Sequence, residues 1–328
     1  MTALPPVRPG DHAPGSPGWV VAQRPARNHV DPTKPHHSLL ENERLASGEI
    51  ALSAAIFLTN KECPWRCVMC DLWKNTLPGP TPPGAIPAQI NYALDRLGRQ
   101  AAQIKLYNSG SFFDPGAIPP QDYPAIAECV SFTRNLLVES HPRLVGARVQ
   151  GLLDLLGDTR LEVAMGLETI HPEVVPRLNK GMTPAHFAIA CEFLRKRGVA
   201  VRAFVLVNPP FLDALQARVW AVKSAAFAYQ NGASAVSLIP TRRGNGALDL
   251  FEGRGDFCSP TLENLEEAFE AVLALGAGRA FADTWDLRPF SLCGACLETR
   301  TARLNEMNLS QKYFPRVECP QCAAAKRR

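Results

Sequence analysis

Between residues 50 and 276 the chain alternates short, continuously apolar runs with longer segments of helical spacing, and this alternation limits it to a few folds. The runs at 50–58, 104–108, 136–140, 160–168, 199–208 and 233–240 have strand length. They are apolar at nearly every position rather than at every second one, so both of their faces need cover. Segments 87–102, 122–135, 144–158, 183–198, 212–232 and 259–276 read as helices, the fourth with Thr183 as N-cap and Gly198 as C-terminal stop. Six such units predict an α/β fold, a parallel sheet covered by helices. Six falls short of the eight that close a full barrel, which points to a partial (β/α)6 TIM-type barrel, although an open doubly wound sheet shares the pattern.

We expect three regions. Residues 1–49 form an N-terminal arm, rich in Pro and Gly and irregular up to 35, with a short helix within 36–49. Residues 50–285 form the barrel core, and 286–328 a small cysteine-rich, metal-binding extension. With 46% hydrophobic and 20% charged residues, the chain can bury a sizeable core. Its formal charge of +4, from 35 basic against 31 acidic residues, tolerates a polyanionic partner without predicting one. No run reaches the roughly 18 apolar residues of a membrane span. The first residues lack a charged segment followed by an apolar one, so we expect a cytoplasmic protein without a membrane partner. In that reducing compartment ten cysteines point to metal rather than to disulfides, the more so because seven of them fall in tight clusters.

The first cluster, in "NKECPWRCVMCDLWKN", spaces Cys63, Cys67 and Cys70 as C-x3-C-x2-C directly after the first strand. Folds of this kind place ligands at the C-terminal ends of their strands. Three thiolates are one short of a closed four-ligand site. On a 4Fe–4S cube they leave one iron open for a substrate or cofactor. A zinc site completed by a distant residue remains the alternative at this level.

This loop, placed after the first strand of a βα series, resembles the radical S-adenosylmethionine (SAM) superfamily. The resemblance implies that the open iron chelates SAM, whose reductive cleavage gives methionine and a 5′-deoxyadenosyl radical that abstracts a substrate hydrogen. It further implies SAM contacts at Met69, where the family usually carries an aromatic residue near the adenine, and at Ser109, Gly110 and Ser111 in "YNSGSFFD". "GLETIHPEVVPRLNKG" resembles the coproporphyrinogen-dehydrogenase and Elongator-like branch, which implies that Glu168 contacts the ribose and Lys180 the carboxylate of SAM. Glu139, ending the third strand, would share that rim. The segments "RPARNHVDP", "LYNSGSFFDP", "VESHPRLV" and "VLVNPPFL" add a resemblance to the archaeosine-synthase radical SAM subunit and its bacterial relatives. That family implies a 7-deazaguanine base in tRNA as substrate, an electron donor such as a flavodoxin or ferredoxin, and a partner enzyme that supplies the substrate. A small-molecule or peptide substrate, and a non-catalytic zinc-stabilised RNA-binding scaffold, stay open as alternatives.

Two C-x2-C pairs, Cys293/Cys296 and Cys319/Cys322, form the second cluster. Their spacing reads as a four-thiolate zinc site, with an auxiliary iron–sulfur cluster as the rival. Cys129 and Cys191 read as buried packing residues on helices.

Overall fold

The computed structural model describes residues 13–325. The first twelve positions of the expected arm and the last three of the extension lie outside the described residues. One eight-stranded sheet runs in chain order: β1 (His37–Arg44), β2 (Ile50–Phe57), β3 (Gln103–Tyr107), β4 (Asn135–Ser140), β5 (Arg160–Glu168), β6 (Ala200–Val207), β7 (Ala235–Pro240) and β8 (Arg279–Ala282). β1 is antiparallel to β2, and every later pair is parallel. The helices are α1 (Pro17–Ala22), α2 (Ala85–Leu97), α3 (Tyr123–Val130), α4 (Ala147–Leu153), α5 (Val174–Arg177), α6 (Pro184–Arg195), α7 (Ala214–Gln230), α8 (Ala247–Gly253), α9 (Leu262–Leu273), α10 (Leu297–Ser310) and α11 (Pro320–Ala325). The sheet curls into a partial barrel, as its βα alternation predicts, with one parallel strand beyond the expected six.

Two expectations need correction. Residues 37–44 form a strand rather than a helix. A hairpin closes at Leu45–Glu49, where the Leu45 N–H donates to the Glu49 carbonyl (2.8 Å) and Gly48 takes φ +85°. Glu43 points into the barrel, where Lys105 and Arg202 meet it. The second correction is β8, too short and too mixed in composition to register as a strand beforehand.

The sheet's outer face packs on the helices in one core that joins Ile56, Leu106, Val138, Val163 and Val205 to Ile90, Phe187, Leu194 and Phe269. The inner face differs, because a curled sheet brings its concave side chains together. At the end where the parallel strands begin, Glu43 meets Arg202 (2.6 Å) and Lys105 (2.6 Å), and Glu162 meets Arg202 (2.9 Å) and Arg279 (3.4 Å). Glu41 pairs with Lys105, and Gln103 donates to Glu43 at 3.0 Å. Three carboxylates thus face three cations, and the layer is neutral. Burial alone would raise the Glu43 carboxyl, yet Arg202 and Lys105 hold it well below the usual carboxylate range. Aromatic rings sit around this layer: Phe57 lies 5.3 Å from Tyr107, and the Arg202 guanidinium 4.7 Å from Phe281.

Side chains join the two sheet edges. Arg279 donates to the Arg44 carbonyl (3.1 Å), and Trp285 packs on His37 (5.0 Å). α10 lies over the seam, where Arg44 donates to the Leu309 carbonyl at 3.2 Å. The free edge of β8 is satisfied by side-chain amides. Asn308 exchanges two hydrogen bonds with Ala282 (2.8 and 2.9 Å), and Gln311 does the same with Ala280 (2.8 and 2.7 Å). Such amides stand in for a neighbouring strand and block edge-to-edge pairing. Among the described residues no helix is long and apolar enough to cross a membrane.

The ionic layer yields a prediction. Arg202→Met leaves Glu43 and Glu162 short of a buried partner and should cost about 3–5 kcal/mol in denaturant unfolding. Because Glu43 is held below its unfolded value, its contribution is fully present above the ordinary carboxylate range and lost as pH falls through the folded value. The variant should therefore show a shallower acid dependence than the parent, and matching acid profiles would refute this account.

Candidate active site at the open rim

The cysteine loop leaves the end of β2 and is fastened on every side. Its base closes where the Leu77 N–H donates to the Asn60 carbonyl (2.9 Å), and the Thr59 N–H donates to Gln89 Oε1 (2.7 Å). Within it, the Cys70 N–H donates to the Cys67 carbonyl (3.2 Å), and the Val68 N–H reaches the Leu178 carbonyl (3.1 Å) of the segment after β5. Trp65 stacks on His141 with ring centroids 3.5 Å apart and planes 8° from parallel. His141 Nδ1 accepts the Arg143 N–H (3.2 Å), so Nε2 carries the proton and donates to the Lys180 carbonyl (2.9 Å). Burial, with the Lys180 ammonium nearby, pushes this imidazole down to about 3, so the ring is neutral. Gly181 has φ +67°, and any Cβ there would meet the Trp65 indole nitrogen at 2.4 Å.

α1 and the segment after it lie beside the loop, so this part of the arm is ordered rather than irregular. Val20 joins Val68, Ala247, Leu248 and Phe251 in a second apolar cluster, against which Met69 packs. Arg24 and Arg66 reach the Glu62 carboxylate at 2.7 and 3.1 Å, with Arg27 also paired to it.

Cys63, Cys67 and Cys70 are unbridged thiols. Burial pushes each up to about 12, so their thiolate forms need a positive partner. Among the described residues, only Cys293, Cys296, Cys319 and Cys322 converge within 4.8 Å of one another; the first three thiols do not. The Ser109–Ser111 turn abuts the loop. Ser109 has φ +48°, and a Cβ on Gly110 would stand 3.4 Å from that of Cys63. The Ser111 hydroxyl is already engaged, 3.0 Å from Ser140 Oγ and accepting the His141 N–H at 3.2 Å.

Across the rim, β5 ends in a bulge. Gly166 pairs with Phe204 and Glu168 with Val205, so Leu167 is the extra residue. Glu168 takes φ +62°, and its carboxylate turns to Lys180 at 2.7 Å. A bulge of this kind re-aims one side chain beside a site. Gly166 leaves room for the pair, since a Cβ there would lie 2.2 Å from Glu168 Oε1 and 2.4 Å from Lys180 Nζ. Burial pushes Glu139 up to about 7, offset by the Asn108 N–H (2.9 Å) and by Lys180, while Glu168 adds to the rise. All the rim residues picked out in the sequence thus end on the same side of the sheet.

Several residues of the rim escaped the sequence reading. Asn108 and Asn208, at the ends of β3 and β6, are fully buried with neither side-chain amide atom hydrogen-bonded. Asn245, after β7, donates to the carbonyls of Val68 (2.7 Å) and Cys70 (3.3 Å). His141 gave no metal-ligand spacing, and its role is to stack and donate. The two glycines flanking Asn245 in "RGNG" were the one available signal.

The second cysteine group gathers between the start of α10 and α11. Cys293 Sγ lies 3.5, 3.7 and 3.2 Å from those of Cys296, Cys319 and Cys322. Arg300 holds this end of α10 to α9 through Glu266 at 2.5 Å.

No family model matches the chain. Archaeosine synthase subunit beta of Methanosarcina acetivorans is 27% identical over 242 residues, 70% of this chain and 69% of that one. The protein of the same name from Thermococcus kodakarensis is 35% identical over 136 residues, which span 38% of this chain and 42% of that relative. An uncharacterized protein of Methanocaldococcus jannaschii is 23% identical over 75% of this chain and 71% of its own length. These matches fall on a chain that carries a C-x3-C-x2-C loop after the first parallel strand of a partial barrel. The chain is similar to archaeosine synthase subunit beta. A solved structure of the archaeal Methanocaldococcus infernus Elp3 aligns at 16% identity with a TM-score of 0.49, covering 73% of this chain and 60% of that one.

Replacing Cys319 and Cys322 together by Ser should lower the metal content of the purified protein by one ion per chain and speed proteolysis beyond Gln311. Metal content equal to the parent's would rule out a four-thiolate site.

Proposed function

We propose that this chain is a radical SAM enzyme, with Cys63, Cys67 and Cys70 as the ligands of a 4Fe–4S cluster. One observation carries the reading. Three half-buried thiols stand together on a clamped loop at the open rim without converging as they would around one ion, beside the Glu168–Lys180 pair. A cluster there would supply the electron that cleaves SAM to methionine and a 5′-deoxyadenosyl radical.

The chain's own residues then have definite tasks. Gly110 lets the Ser109–Ser111 backbone approach the amino end of SAM. Lys180, an ammonium paired with Glu168, exchanges that partner for the SAM carboxylate, which frees the Glu168 oxygens to accept the ribose hydroxyls. Met69 lines the adenine side, and Glu139 completes the polar rim. The unsatisfied amides of Asn108 and Asn208 supply donors and acceptors for cofactor or substrate.

The substrate we propose is a 7-deazaguanine base in tRNA, from the likeness to archaeosine synthase subunit beta. The word "subunit" in that name supports a partner enzyme that supplies the substrate, and a flavodoxin or ferredoxin would be the reductant. We place the reaction in the cytoplasm. For the C-terminal thiols we propose zinc. Tetrahedral Zn–S bonds of about 2.3 Å set sulfurs about 3.8 Å apart. The observed 3.2–3.7 Å fits one ion, whereas the thiolates of a cube bind different irons and stand farther apart. A scaffold with zinc in both groups would need the first three thiols to converge in the same way.

The decisive test is anaerobic reconstitution with iron and sulfide, reduction, and assay of 5′-deoxyadenosine with and without bulk tRNA. The parent should form it, and Cys67→Ala should not. Lys180→Ala should raise the KM for SAM by roughly tenfold or more, the loss of a charge-assisted contact. A parent that binds the cluster yet never cleaves SAM refutes the enzyme. An unchanged tRNA nucleoside profile in cells lacking the protein refutes the tRNA substrate alone.

A further inference from the structure

Asn245 lies between β7 and α8, 175 residues from Cys70, and is fully buried. Its side chain serves two elements. Oδ1 accepts the Leu248 N–H at 2.9 Å and so caps the start of α8. That bond fixes the orientation of the amide, so Nδ2 faces the cysteine loop, where it reaches the carbonyls of Val68 (2.7 Å) and Cys70 (3.3 Å). No backbone N–H takes either carbonyl among the described residues.

The surroundings leave Asn245 little freedom. Gly244 and Gly246 take φ +91° and +87°, and a Cβ on Gly246 would stand 1.9 Å from the Gln23 carbonyl oxygen. Lys74, just beyond the cysteines, donates to the Gly244 carbonyl at 2.5 Å. Asp249 accepts the N–H groups of Gly246 (3.0 Å) and Gly244 (3.3 Å). The G-N-G turn is thus wedged between the residue that ends α1 and the cysteine loop.

We infer that Asn245 is a positioning residue for the cluster: its amide holds the backbone between the second and third cysteines, and so sets where the Cys67 and Cys70 sulfurs stand. The inference rests on the cluster reading of those cysteines. Groups that orient metal ligands from behind typically matter by 10–100-fold in metal retention. Asn245 offers a clean separation of roles, because Asp keeps the cap acceptor while removing the donor and setting a carboxylate against two carbonyls.

The test compares the parent with Asn245→Asp, Asn245→Ala and Asp249→Ala, the last disturbing the same turn with the amide intact. Each is reconstituted anaerobically, assayed for iron and sulfide, and challenged with an iron chelator. Reduced clusters are recorded by electron paramagnetic resonance without SAM, and the thermal midpoints of the metal-free proteins by circular dichroism. N245D should lose iron roughly tenfold faster and show a shifted resonance, beyond what its midpoint change accounts for, with D249A close to the parent in both cluster readouts. N245D that retains iron and resonance like the parent overturns the inference while leaving the cluster reading intact. Cluster readouts that change only in proportion to the midpoints, in all three variants, also overturn it. A parent that takes up no iron and sulfide removes both the inference and the reading beneath it.

Discussion

The neutral ionic layer at the narrow end is the constraint on which the rest of the barrel depends. A sheet curled this tightly must fill its concave side, and here it does so with charge instead of aliphatic side chains. Glu43 comes from the antiparallel edge strand, Lys105 from β3, Glu162 from β5, Arg202 from β6 and Arg279 from β8. Removing any one member exposes the others to the cost of a buried, unmatched ion. The layer therefore fixes which strands lie opposite one another. It also fills the end away from the cysteine loop with paired charge.

At that rim the organisation reverses. Polar groups that would be liabilities elsewhere are left unsatisfied or in unfavourable backbone conformations: Ser109, Glu168 and Asn208 all have positive φ. Such conformations persist only where packing over-determines them. The second apolar cluster, with Val20, Val68 and Phe251, packs on the cysteine loop itself. The loop is thus held by elements drawn from α1, from the segment after β5 and from the turn after β7.

What could be read in the sequence was what depends on near neighbours. The C-x3-C-x2-C spacing, the βα alternation and the twelve-residue step from Glu168 to Lys180 are local, and each appears in the structure. That residues 37–44 form a strand depends on Lys105 and Arg202, which meet Glu41 and Glu43 from far along the chain. The stacking of Trp65 on His141 and the reach of Asn245 to the Val68 carbonyl leave no mark on residue spacing, and only the two glycines beside Asn245 hint at its turn. That the C-terminal cysteines form a four-sulfur group could be read from their pairs, whereas the distances that favour one ion could not.

The seam between the sheet edges has a consequence for how the chain reaches its native state. Arg44 meets Arg279 and Leu309 across separations of 235 and 265 residues. Contacts of such range carry the largest loop-closure entropy and tend to be made late. The hairpin of β1 with β2 and the pairing of Lys105 with Glu41 and Glu43 need only nearer segments, whereas the seam contacts wait for the segments that carry Arg279 and Leu309. A product truncated before α10 would keep an open edge at β8.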